Sequence, residues 1–306
     1  MSDFNCILVL GPTASGKTKL ACRIAYELNG EIISADSRQV YKELTIGTGK
    51  DLFEYLVNGK KIDHHLIDIC EPERQYFLHE YIRDSKTAFL NIKERGKLPV
   101  ICGGSGLYLD SYRKDFSLTQ IPESPVLRAS LEHLPLEELT LMLMEKKRKE
   151  LEHVDLNSRK RVIRALEISA FLEVNQFDFD KKVLPYRPYY VGIRSEASKR
   201  RLLIEKRLEE RIEQGMIEEV EQLLHKGMTY ERLQFLGLEY KFISFYLQNK
   251  MDMDEMKEKL LTAILQFSKR QMTWFRRMEK EGVNIHWIEL DFTEEFMKDL
   301  KTIFTG

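Results

Sequence analysis

Cys6-Ile7-Leu8-Val9-Leu10-Gly11-Pro12-Thr13-Ala14-Ser15-Gly16-Lys17-Thr18 decides how this chain folds. Its first five residues are continuously apolar, the pattern of a strand buried on both faces. The next eight match G-x-x-x-x-G-K-[ST], a glycine-rich loop that runs straight into a helical pattern from about Lys17 to Leu28, closed by Asn29-Gly30. A strand, such a loop and a helix in that order build an anion cradle from backbone N–H groups and a helix N-terminus. Within it Lys17 supplies a point charge to terminal phosphates, and the Thr18 hydroxyl can ligate Mg²⁺. Gly11, Pro12, Thr13, Ala14, Ser15, Gly16, Lys17 and Thr18 are therefore expected to bind a di- or triphosphate.

Outward from this loop the first third of the chain alternates β and α. Glu31 to Ala35, His65 to Ile69 and Leu98 to Cys102 read as strands with helical stretches between them. That alternation predicts right-handed crossovers and a mainly parallel sheet with helices on both faces. From about Pro122 to Leu184 the strand signal disappears. The runs Leu127 to Glu152 and Asn157 to Glu173 carry apolar residues at helical spacing. Tyr189 to Ile193 returns as a strand, long helices occupy roughly 196 to 281, and Asn284 to Leu290 is a last strand-like run. The predicted architecture is an α/β P-loop core over residues 1–120 and 186–306, with an all-helical insertion over 121–185.

Composition narrows the function. The 306 residues are 43% hydrophobic and 32% charged, which excludes a disordered or fibrous chain. No apolar run approaches the roughly 18 residues that cross a bilayer, and no basic leader precedes the first strand, so no membrane association and a cytoplasmic location are expected. Four cysteines show no metal-ligand spacing, and three of them, in apolar strand-like contexts, read as buried free thiols. The formal charge of −1 argues against a generic nucleic-acid coat, but a binding face needs clustered rather than net charge, and residues 141–211 carry the basic excess.

The second strand ends in Ala35-Asp36-Ser37-Arg38-Gln39-Val40-Tyr41. A carboxylate at the C-terminal end of a parallel strand faces the ligand crevice. Asp36 is therefore a candidate to hold magnesium through water, to act as general base on an acceptor, or to cap a turn.

Several motifs then fall in order: GPTASGKT at 11–18, DSRQVY at 36–41, IGTGK at 46–50, HHLID at 64–68, GGSGLY at 103–108, RVIRALE at 161–167 and KRQMTWFR at 269–276. Together they resemble the tRNA dimethylallyltransferases over about residues 6 to 290. The resemblance implies that the loop grips the diphosphate of dimethylallyl diphosphate. The prenyl group would pass to the exocyclic N6 amine of the adenosine 3′ to the anticodon, in tRNAs reading codons that begin with U. It implies Asp36, Thr13, Lys17 and Arg207 as catalytic residues and Mg²⁺ on Thr18 as cofactor. For the anticodon stem-loop of tRNA it implies Asp36, Ser37, Arg38, Gln39, Ser105, Lys160, Arg161, Val162, Ile163 and Arg164 as contacts.

A monomer is the default expectation. Trp274 and Phe275 are assigned to packing, and Lys146 to Lys149 to a solvated face. The sequence departs from the family pattern in places. The insertion is short and lacks the usual DP-x-x-A element; Ser105 replaces a threonine, Arg211 a methionine and Leu203 a basic residue; and Leu236 to Lys241 reads LGLEYK. The competing readings are an adenylate isopentenyltransferase acting on free nucleotide, a P-loop kinase that binds ATP and phosphorylates a small metabolite, and a nucleic-acid-binding module without catalysis. The basic helical insertion favours tRNA over a mononucleotide.

Overall fold

The computed structural model describes residues 3–146, 153–175, 184–289 and 294–305. The elements run β1 (Cys6–Leu10), α1 (Lys17–Glu27), β2 (Gly30–Ala35), β3 (Leu56–Val57), β4 (Lys60–Lys61), β5 (His64–His65), α2 (Leu78–Glu94), β6 (Leu98–Gly103), α3 (Gly106–Asp110), α4 (Pro125–Leu131), α5 (Leu136–Glu145), α6 (Arg159–Val174), β7 (Pro188–Ile193), α7 (Ala197–Glu213), α8 (Met216–His225), α9 (Tyr230–Leu236), α10 (Leu238–Leu247), α11 (Met253–Lys280), β8 (Ile285–Ile288) and α12 (Glu294–Thr305). Two compact units result: Met1–Arg113 with Leu184–Gly306, and Lys114–Val183.

The larger unit is built on a parallel sheet of order β5-β2-β6-β1-β7-β8. This is the expected α/β fold. Strand β1 shows why its run is continuously apolar: Cys6, Leu8 and Leu10 enter one core while Ile7 and Val9 enter the other. The first core packs α2 and α7 to α11 on one face, and the second packs α1 and α12 on the opposite face. Helix α11 repeats buried residues at Met256, Leu260, Ile264, Ser268, Gln271, Phe275 and Met278, a three- and four-residue stripe, and the Asp252 carboxylate caps its start by accepting from the Glu255 amide at 2.9 Å. All four cysteines are free and buried.

The expected strand His65 to Ile69 is cut to His64–His65. Leu66 and Asp68 adopt φ of 64° and 55°, which ends the extended run. What holds that turn is distant in sequence: the Asp68 carboxylate accepts from the wholly buried Lys50 ammonium, which also donates to Tyr41 O at 2.6 Å. The expected helical run Leu127 to Glu152 is likewise divided. Helices α4 and α5 are separate, with Pro135 at the start of α5, and residues 147–152 lie outside the described residues. In the smaller unit Leu131, Leu139, Leu143, Val162 and Leu166 form a core of its own.

One charged cluster secures the edge of the large sheet. The Glu31 side chain at the start of β2 is only 3% exposed and accepts from Arg95, Lys97 and His65. Although burial alone would raise it, these three donors hold the Glu31 carboxyl down at about 2. A folded value below the unfolded one contributes stability above pH ~4.5 that is lost as the pH falls through about 2. With the half-exposed Arg95 discounting the pair, Glu31→Gln is expected to cost about 2 kcal/mol at pH 7. Urea denaturation should show the gap between variant and parent shrinking to less than half by about pH 3. A gap independent of pH would contradict the ion-pair origin.

Candidate active site

The C-terminal ends of β1, β6 and β2 are neighbours in the sheet, so the three loops that leave them meet on one edge. From β1 the chain enters the glycine-rich loop, where Ala14 and Gly16 take positive φ, 58° and 71°, before α1 begins at Lys17. A Cβ at Gly11 would lie 2.6 Å from Ser15 Oγ, so a larger residue there would displace the Ser15 hydroxyl. From β6 comes Gly103-Gly104-Ser105-Gly106. A Cβ at Gly103 would stand 2.1 Å from Ala35 O, which makes glycine obligatory where this loop crosses the end of β2. The Ser37 amide then donates to Ser105 Oγ at 3.0 Å, so Ser105 fixes the turn that carries Asp36. Asp36 Oδ1 accepts from the Arg38 amide at 2.9 Å, a local turn that leaves its second oxygen uncommitted within the turn.

Helices packed on the first core close the site. Gln271, from the buried stripe of α11, accepts from the Thr13 amide at 2.9 Å and donates to Gly104 O at 3.0 Å, bolting the phosphate-type loop to the β6 loop. The IGTGK segment is held by Glu219 of α8, whose carboxylate accepts from the amides of Thr45, Ile46 and Gly47 and from Tyr240 Oη. Helix α7 brings Arg207 to Asp51. The result is a cavity of about 1010 Å³, lined by the loop from Thr13 to Thr18, by Asp36 to Gln39, by Ser105, and by Arg207, Arg211 and Trp274.

Electrostatically this is a cationic hollow with carboxylates at its walls. Burial pulls the Lys17 ammonium below the ordinary lysine range, opposed by the Cys102 thiol and Asp36. Burial also pushes Glu54 and Glu239 up, toward their neutral forms. Ser15 Oγ is buried without a hydrogen-bond partner, a donor available to an anion in the loop.

The sequence-derived residues divide by location. Gly11 and Pro12 are buried behind the loop, while Thr13, Ala14, Ser15, Gly16, Lys17, Thr18, Asp36, Ser37, Arg38, Gln39, Ser105 and Arg207 all line the cavity. Arg38 donates to Phe235 O at 2.8 Å, and Gln39 spends its amide on Gly49 O at 2.9 Å. The candidate tRNA residues of α6 belong to the smaller unit. There Lys160 and Arg161 are exposed, Arg161 pairing with Asp155 at 2.8 Å. Val162 is wholly buried, Ile163 packs against the same core, and Arg164 is spent on the carbonyls of Ile121 and Pro122 and on Glu167. Of the residues expected to contact tRNA, Val162 and Arg164 have side chains committed to holding their own unit together. Lys146 pairs with Glu173 at 2.9 Å, and residues 147–149 lie outside the described residues.

Sequence reasoning missed Gln271, Arg211 and the placing of Trp274. Phe275 is core, as its assignment to packing requires. Trp274 packs against the first core as assigned and also lines the cavity, its Nε1 donating to Asp110 at 3.1 Å under the Arg277 guanidinium. For Gln271 and Arg211 a signal existed. Gln271 interrupts the apolar stripe of α11, and Arg211 continues the Ile204–Leu208 stripe of α7, each a polar group where periodicity demands an apolar one.

Comparison with known proteins agrees with this geometry. The IPP transferase family model matches residues 39–278 and the isopentenyl transferase model residues 4–65. The chain belongs to the IPP transferase family. Among its relatives, a tRNA dimethylallyltransferase 2 of Bacteroides fragilis is 45% identical over 295 residues, covering 96% of each chain. Another of that name from Shewanella sediminis is 46% identical over 290 residues, 94% of each. The crystal structure of tRNA delta(2)-isopentenylpyrophosphate transferase from Staphylococcus epidermidis superposes with a TM-score of 0.67 at 30% identity, covering 98% of both chains. A eukaryotic dimethylallyltransferase acting on tRNA shares the fold with a TM-score of 0.76 at 23% identity, over 96% of this chain and 75% of that one. Among the described residues of this IPP transferase family member, no helix is long and apolar enough to cross a membrane.

Proposed function

We propose that the protein transfers the dimethylallyl group of dimethylallyl diphosphate to the N6 amine of the adenosine 3′ to the anticodon in tRNAs reading codons that begin with U, releasing diphosphate. The observation that carries this reading is that Lys17, Thr18 and Asp36 open into one cavity large enough for a diphosphate ester and an adenine together. The allylic C–O bond breaks as positive charge spreads over the prenyl carbons and negative charge gathers on the departing diphosphate. Loop amides, Lys17 and Arg207 offset that charge as it develops. Thr13, whose amide Gln271 holds, is the loop residue that this reading sets beside the reacting carbon. The N6 lone pair forms the new C–N bond, and Asp36 accepts the proton that N6 loses.

Mg²⁺ fits this site. Among the described residues no cluster of three histidine, cysteine or acidic side chains is suited to hold a metal alone. The Thr18 hydroxyl at the cavity wall is a hard oxygen ligand, and Mg²⁺ takes one or two such ligands with waters and substrate phosphates. Bound there, it neutralises diphosphate charge. The exposed Lys160 and Arg161 contribute contacts to phosphates of the anticodon stem-loop. The protein works as a cytoplasmic monomer in this reading.

The test supplies protein, Mg²⁺ and labelled dimethylallyl diphosphate with unmodified tRNA or AMP as separate acceptors. Label is expected in tRNA and not in AMP. Label in AMP alone would make the protein a free-nucleotide enzyme, and label in neither would remove the prenyl-transfer reading.

A further inference from the structure

Arg207 and Arg211 lie one turn apart on α7, and both line the cavity that holds Lys17. Their guanidinium groups converge. A Cβ at Gly49 would stand 2.5 Å from Arg207 Nη2 and 1.8 Å from Arg211 Nη2, so both ends press on the same few ångströms of the cavity wall. Between them stands one carboxylate, Asp51, and Arg207 holds it. Arg211 Nη2 is 3.6 Å from Asp51 Oδ2, beyond hydrogen-bond reach, and is buried with no hydrogen-bond partner at all. The Arg211 side chain is only 11% exposed, so bulk water does not reach it in compensation.

A buried guanidinium N–H without an acceptor is costly, and packing alone does not account for it. At this position Ile204 and Leu208 continue a stripe that any apolar side chain of similar length would extend. The other acid near Arg211, Glu239, is pushed up by burial, against the pull of Arg211 and Arg207. Beside Arg207 and Arg211 the ion-paired carboxylate is Asp51 alone, and an anion carrying several charges offsets the two like-charged guanidinium groups.

We propose that Arg211 is a second arginine for the diphosphate group, its guanidinium turning to donate to the diphosphate oxygens beside Arg207. The assignment rests on the prenyl-transfer reading above and adds a binding residue to it. Charge on the diphosphate increases as the C–O bond breaks, so the contact strengthens along the reaction and matters to turnover as well as to binding.

The experiment uses the full chain with Mg²⁺ and inorganic pyrophosphate as the probe, titrated by calorimetry into the parent, Arg211→Met and Arg211→Lys. KM and kcat for dimethylallyl diphosphate, the Kd for tRNA and the thermal midpoint are measured on the same preparations. Arg211→Met is expected to weaken pyrophosphate binding about 10- to 100-fold, the loss of one charge-assisted hydrogen bond. It should lower kcat/KM at least as much and move the tRNA Kd less than about twofold. Arg211→Lys keeps a point charge without the planar fork and should recover part of the loss. If both variants fold and bind pyrophosphate as the parent does, Arg211 is a packing residue and the proposal falls. If Arg211→Met does not fold, unchanged affinity in Arg211→Lys overturns it equally. A parent that binds no pyrophosphate and transfers no label would overturn the prenyl-transfer reading together with this one, whereas an active parent with an indifferent Arg211→Met overturns this one alone.

Discussion

Asp36→Asn is expected to lower kcat about 10²- to 10⁴-fold while the affinity for dimethylallyl diphosphate moves less than about threefold, the range for losing a positioned general base. The substitution is chosen because Asp36 Oδ1 also accepts from the Arg38 amide, and an asparagine oxygen makes the same bond. The turn and the contact between Ser37 and Ser105 should therefore survive, and only the capacity to take a proton is lost. The exocyclic amine of adenine is a weak nucleophile, and its proton must leave as the new bond forms. Without a carboxylate to receive it, the transition state carries that charge unaided. Single-turnover transfer of label, read beside pyrophosphate titration, separates the two effects. Equal losses in binding and rate would show Asp36 to be a structural or metal-holding residue instead.

Lys17→Ala is expected to act on both quantities. The ammonium is enclosed by the loop, with Pro12 O 3.4 Å away, and burial already lowers its preference for the charged form. A diphosphate restores that preference, so much of the binding interaction is charge against charge in a site with little water to screen it. Pyrophosphate affinity should fall about 10- to 100-fold for the lost charge-assisted bond, and kcat a further 10²- to 10³-fold, as for removal of a preorganised donor from a developing anion. The one bond lost is the long 3.4 Å contact to Pro12 O, so the thermal midpoint should barely change. Calorimetric titration and steady-state kinetics on the same protein check this. Affinity equal to that of the parent would take the diphosphate away from the glycine-rich loop.

The residues behind these two predictions were legible early because their signals are local. A buried strand, a glycine loop with its lysine, and an aspartate at the end of the next strand are each determined within about ten residues, and parallel packing brings such strand ends together whatever lies between them. Where strands stop was less legible. The strand expected over His65 to Ile69 ends after His65 because Lys50, buried and distant in the chain, captures Asp68 at a turn with positive φ. Periodicity reports which side chains are apolar, and cannot report that a buried ammonium elsewhere needs a carboxylate.

The smaller unit carries the same lesson on a helix face. Basic residues at 160, 161 and 164 look alike in sequence, yet Arg164 turns inward to carbonyls at 121 and 122 while Lys160 and Arg161 face outward. At spacings of three and four residues these side chains lie within about 60° of one another around the helix, so periodicity does not separate them, and which one turns inward depends on what packs against that stretch.

Local chemistry, then, was enough to specify the α/β class, the diphosphate loop and the acid beside it, since each follows from backbone sterics and strand burial over a few neighbouring residues. Long-range packing settled the rest. Gln271 reaches Thr13 across 258 positions, Glu219 gathers the amides of Thr45, Ile46 and Gly47 from α8, and α7 turns Arg207 and Arg211 onto a single glycine. The physical reason is that a polar side chain in an apolar stripe must find its partner across the core, and that partner is determined only when the helices have docked on the sheet.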